Sequence, residues 1–123
     1  MASELGISTL TITFAKTNCP SIEVAPAALS VTVSGNQLMD NVQAVTSTEV
    51  AIALGDVAPG GYWFVQNMDA TNYVEIRASS GGTDLIKLLA GEWAIFRTSA
   101  DATAPYAIAN TAACNVRFLR FDV

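Results

Sequence analysis

The sequence predicts an all-β chain: a single antiparallel β-sandwich of jelly-roll-like type, one domain over residues 1–123. Three observations predict it. Apolar and polar residues alternate with period two through β-branched stretches. Clusters of Gly, Pro, Asn and Asp recur every 8–12 residues or so, the spacing of a sandwich or barrel. No stretch of about 12 residues carries apolar side chains at the three-and-four spacing of an amphipathic helix.

In chain order, residues 1–7 form the start of the domain and are expected as a mobile or partner-bound arm. Leu10, Ile12 and Phe14 alternate with Thr9, Thr11 and Thr13, and Leu29, Val31 and Val33 alternate with Ser30, Thr32 and Ser34. Threonine suits the solvated face of such strands. Further strands are expected at Asn41–Thr46, Glu49–Leu54, Tyr62–Asn67, Tyr73–Ala78, Asp84–Leu89, Trp93–Thr98, Tyr106–Asn110 and Asn115–Val123. Turns separate them at Cys19-Pro20, Ser34–Asn36, Pro59–Gly61, Asp69–Asn72, Ser79–Gly82, Ala90-Gly91 and Asp101–Pro105. The last strand breaks clean alternation: Arg117 shares a register with Leu119 and Phe121, and Arg120 with Val116 and Phe118. Either a bulge re-aims one arginine, or both faces are covered and the arginines meet carboxylates.

Composition directs attention to surfaces. Only 14% of the residues are charged, against about 25% in an ordinary soluble domain, and 51% are hydrophobic. No apolar run approaches the roughly 18 residues of a membrane span. Low charge with excess apolar surface matches a chain buried against protein, so a homo-oligomer is expected, a trimer first. The net charge of −5 is lopsided: six acids and one base (Lys16) up to Ala70, then five of each. The bases Arg77, Lys87, Arg97, Arg117 and Arg120 are scattered, which disfavours nucleic acid as a partner. The N-terminus MASELGIST has neither a cationic nor an apolar segment of a secretory signal, so synthesis and folding in a cytoplasm are expected. Cys19 and Cys114 have no ligand spacing and are expected as buried free thiols.

Chemistry is sparse. With no histidine in the chain, His-dependent acid–base catalysis and His-containing metal sites are excluded. Neither cysteine sits in a catalytic context, and no nucleophile elbow or phosphate-cradling glycine loop occurs. The acids are spread singly, with Glu75 and Glu92 deepest in the apolar half. Glu75 alternates with Tyr73 and Arg77, which reads as a solvated strand face rather than a hydrolytic carboxylate pair. Asp69, Asn72 and Asp84 offer oxygen ligands near turns, without the regular acidic loop of a calcium site. No enzyme, cofactor or metal is expected.

Aromatic residues remain. Trp63 falls in register with Val65, Tyr62 with Phe64, and Trp93 with Ile95. A tryptophan among aliphatic neighbours marks core or subunit interface more often than a sugar-stacking platform. The interface candidates are Trp63, Trp93, Phe96, Phe118 and Phe121.

The stretch from Gly61 to Val123 contains GYWFVQNMDATNYVEI, LIKLLAGEWAIFR and YAIANTAACNVRFLRFDV. These segments resemble small β-sandwich proteins of tailed-phage structural gene blocks. The resemblance rests on a strand-and-turn element at Asn67–Ile76, a hairpin at Lys87–Glu92 and a segment at Tyr106–Ala113 before the closing strand. Asn67, Asp69 and Asn72 can bond the turn backbone, Gly91 supplies a special dihedral, and Glu92 is the polar start of a strand. The resemblance implies a virion component of capsid decoration (cement) type, contacting the major capsid protein or other virion proteins, with no active site. Alternatives are a tail, baseplate or head-fibre module, or a carbohydrate-binding module using Trp63 or Trp93.

Overall fold

The structure, a computed structural model, describes residues 3–33, 38–54, 60–99 and 104–122. The chain is all-β, with 56% of the described residues in strands and antiparallel sheets packed against each other. The chain has two compact units, residues 1–34 and 35–123.

The first unit is a two-stranded ribbon. Strand β1 (Ser3–Ile7) pairs with β4 (Leu29–Val33), and β2 (Ile12–Phe14) pairs with β3 (Ile22–Val24), both antiparallel. The pairs Ile7↔Leu29 and Ile12↔Val24 belong to one unshifted register, with four residues between them on each strand. The two short sheets are thus one interrupted hairpin, about 40 Å of extended chain at the usual rise per residue. Pro26 lies in the interruption, where a residue without an N–H cannot donate to the ladder. The segment read as an arm therefore contributes Ser3–Ile7 as a paired strand. Each paired stretch has one apolar face: Leu5, Ile7, Leu29 and Val31 near the base, Ile12, Phe14, Ile22 and Val24 near the tip. Val31 alone among the described side chains of this unit is buried.

The second unit is an eight-strand sandwich. Its strands are β5 (Leu38–Val45), β6 (Val50–Ala51), β7 (Gly61–Asn67), β8 (Val74–Arg77), β9 (Asp84–Leu88), β10 (Trp93–Thr98), β11 (Tyr106–Ala109) and β12 (Cys114–Phe121). One sheet runs β10-β7-β12-β5 and the other β6-β11-β8-β9. Every connection but β8–β9 passes from one sheet to the other, which is the double Greek-key order of a jelly roll. The Lys87–Glu92 segment, read from sequence as a hairpin, leads into one of these crossings: β9 pairs with β8, and β10 pairs with β7.

Alternation places the core. Val45, Trp63, Val65, Val74, Ile76, Leu88, Ala107, Ala109, Cys114, Val116 and Phe118 point between the sheets and are buried with Ile52. Cys114 matches the expected buried thiol, and burial pushes its pKa up. Cys19 is exposed, because the segment that carries it, between β2 and β3, has no core beneath it.

The crossings are stitched by polar groups at one end of the sandwich. Asn67, fully buried at the end of β7, donates Nδ2–H to the carbonyls of Asn72 (2.8 Å), Leu88 (3.1 Å) and Leu89 (3.2 Å), and its Oδ1 accepts from Asp69 N–H. Its carbonyl accepts from Gly91 N–H, and its own N–H donates to the Glu92 carbonyl. Gly91 takes φ 78° there, a left-handed conformation that glycine adopts without strain. Glu92 caps the same turn by accepting from Leu89 N–H at 2.9 Å. Asp69 accepts from Thr71 and Asn72 N–H, which holds its carboxyl below the usual range.

Candidate assembly surface

The two sheets of the sandwich present different chemistry to the outside. On β6-β11-β8-β9 the outward positions hold the charges of Glu75, Arg77 and Lys87 beside Tyr106, Ile108 and the exposed Leu85. Arg77 bonds Glu49 at 2.6 Å and also Asp84, and Glu75 stands opposite Lys87, whose ammonium lies 3.9 Å from the Tyr73 ring centre. Glu49 accepts further from Ser80 Oγ and Gly81 N–H, and these bonds with Arg77 hold its pKa at about 2. Such a face is content in water.

The outer face of β10-β7-β12-β5 is different. Strand register assembles it in three cross-sheet rows: Trp93–Gln66–Arg117–Val42, Ile95–Phe64–Leu119–Asp40 and Arg97–Tyr62–Phe121–Leu38. Apolar or aromatic side chains hold eight of these twelve positions. The edge strands leave theirs most open, with Trp93 at 48% and Leu38 at 64% exposure. Trp93 and Phe64 lie 6.0 Å apart in a tilted pair. The charges are few and local. Arg117 makes a two-point contact with Asp40 (2.9 and 3.1 Å), lowering the Asp40 pKa, and Arg97 lies over the Tyr62 ring at 5.3 Å.

The five aromatic candidates divide between the two faces of this sheet. Trp63 and Phe118 are buried, and Phe96 packs against the core, so these three hold the sandwich together from within. The inner row Phe96–Trp63–Arg120–Met39 sets Phe96 and Arg120 on either side of Trp63. Phe96 stacks on the indole at 5.7 Å, and the Arg120 guanidinium lies 4.0 Å from its ring. The indole N–H donates to Thr98 Oγ1 at 3.0 Å. Trp93 and Phe121 belong to the outer face. The two arginines of β12 are resolved without a bulge, since its pairing with β5 runs unbroken from Cys114 to Phe121. Arg117 meets a carboxylate outside. Arg120 is buried over Trp63, and burial pushes its pKa down to about 10, so it stays a cation at neutral pH.

Asp69 and Asn72 are committed to the turn beyond β7, whereas Asp84 pairs with Arg77 at the other end of β8. Among the described residues no group of three or more acidic or cysteine side chains could hold a metal ion. A cavity of about 510 Å³ opens between the sheets at the end opposite Asn67, lined by Ile52, Trp63, Ile76, Ile86, Phe96 and Pro105 among others. Its walls are mostly apolar, with Arg77, Arg97 and Thr98 also lining it, and Trp63 Nε1 is already satisfied by Thr98.

Sequence reasoning missed most of the outward surface. Tyr62, Phe64, Ile95 and Leu119 were legible as alternating positions, but which parity faces out depends on the second sheet. Ile22 and Val24 were missed as a strand, being three residues long. The chain matches no family model, no curated protein and no solved structure.

Proposed function

We propose that this chain is a structural, non-enzymatic subunit of a tailed-phage particle. It acts as a capsid decoration (cement) protein that works as a homo-oligomer, a trimer by preference, and binds the major capsid protein. The observation that carries the reading is the N-terminal ribbon. Ile12, Phe14, Ile22 and Val24 line one face of β2–β3 and are each between 47 and 55% exposed. A two-stranded ribbon is marginal in water on its own. An apolar face on such an element therefore belongs against another protein. The resemblance of Gly61–Val123 to small phage sandwich proteins directs the assignment to a virion, and 14% charge agrees with a chain whose surface is largely covered.

The test is co-sedimentation with purified shells. The protein should pellet with expanded shells and stay behind with unexpanded ones, because a subunit bridging neighbours fits only the mature geometry. Mass action then stabilises the state it binds. Phe14→Asp with Ile22→Asp should abolish pelleting; equal pelleting of that variant would remove the ribbon from the binding surface. Pelleting with purified tails alone would move the assignment to a tail, baseplate or fibre module.

Half-exposed Trp93 beside Phe64 favours one second reading, a sugar-stacking platform for a host-surface glycan. Buried Trp63 takes no part in it. Glycan-array binding lost on Trp93→Ala, with no particle association, would support that reading over the first.

A further inference from the structure

We infer that the outer face of β10-β7-β12-β5 is the self-association surface of this protein, packed against a neighbouring copy of the chain. This rests on the reading of the chain as an assembly subunit, and it separates that assembly into two surfaces: the ribbon for the shell, the sheet face for the chain's own copies.

Size is the first argument. Four strands at about 4.8 Å spacing and three rows at about 6.8 Å cover roughly 400 Å² in plan. Side-chain relief raises the accessible area toward the roughly 800 Å² per partner that a stable interface of standard size buries. A patch of that order matches the largest apolar patch of a typical soluble monomer, and such patches often mark contact sites. Composition is the second. Trp93, Tyr62, Phe64 and Phe121 with Arg97 and Arg117 are the residue types that concentrate binding energy at protein contacts. Charge is the third. The Asp40–Arg117 pair is neutralised within one copy, and Arg97 sits at a corner of the grid, so the centre of the face presents no unpaired charge to a neighbouring copy.

Light scattering coupled to size exclusion on the full chain, at micromolar concentration and moderate salt, reads the result. The wild type should run as a multiple of 12.9 kDa. Ile95→Asp and Val42→Asp should each shift it to the monomer mass, whereas Leu85→Asp, exposed on the opposite sheet, should leave it unchanged. Circular dichroism establishes that each variant is folded. A measurement on the wild type alone guards against misfolded variants: iodide quenching of Trp93 should rise on dilution through dissociation, Trp63 being buried. A wild-type monomer, face variants that keep the oligomer mass, or quenching independent of concentration would overturn the inference. A monomer that still pellets with expanded shells would leave the assembly reading standing; an oligomer dissociated by Ile95→Asp that pellets with no particle would do the reverse.

Discussion

Asn67→Asp changes one side-chain nitrogen to oxygen and should destabilise the sandwich severely. Asn67 is fully buried, and its two Nδ2 hydrogens serve the carbonyls of Asn72, Leu88 and Leu89. An aspartate offers an acceptor where three acceptors converge, and its charge would be buried there. Leaving a buried carbonyl without its donor costs about 1–3 kcal/mol. Two lost N–H bonds therefore amount to roughly 2–6 kcal/mol. For a chain of this length each kcal/mol lowers the melting temperature by about 3–5 °C. The expected drop is about 6–30 °C in a thermal melt followed by circular dichroism, at fixed protein concentration because oligomerisation feeds into Tm. Asn115→Asp is the control: the same chemical change at an exposed position of β12 should stay within about 0.5 kcal/mol. An Asn67→Asp protein melting within about 3 °C of wild type would refute the role of this side chain in tying β7 to the crossings beside it.

Two further outcomes follow from the same structure. The Glu49 pKa is held near 2 in the folded protein, against an ordinary 4.5. Its depressed value means the Glu49 contribution is fully present above about pH 4.5 and is lost as pH falls toward 2. Glu49→Gln should therefore flatten the pH dependence of Tm in that window and leave its shape above pH 5 or so unchanged; an identical acid profile would contradict the Ser80, Gly81 and Arg77 contacts. With Ellman's reagent, one thiol per native chain (Cys19) should react fast and Cys114 only in denaturant. Two fast thiols would place Cys114 outside the core.

Much of the sandwich was legible because its strands are locally patterned. Trp93–Thr98 was read with the bounds it has, and the alternation of Trp63 with Val65 against Tyr62 with Phe64 separated the two faces of β7 correctly. The turn chemistry of Asn67, Asp69 and Gly91 was legible too, since Asn and Asp side chains mimic turn backbone and glycine takes positive φ. What escaped was non-local. Whether Leu89–Glu92 closes a hairpin or crosses between sheets depends on Asn67, more than twenty residues upstream. Arg120 was read as re-aimed by a bulge or as meeting a carboxylate on a covered face; its cross-strand neighbour is Trp63, and the guanidinium lies against that ring. Strand β3 is three residues long between two prolines, too short for a period to register. Its pairing with β2 shows only through the register shared with β1 and β4.

The central claim is that this protein is a building block of a virion shell, and a reconstruction of the particle tests it most directly. Maps of expanded heads with and without the protein, averaged to a resolution that shows sheets, should differ by density on the outer surface around the local three-fold axes. Each patch should account for three jelly-roll sandwiches of 12.9 kDa chains. Identical head maps, with the protein found on the tail or on no particle, would contradict the claim.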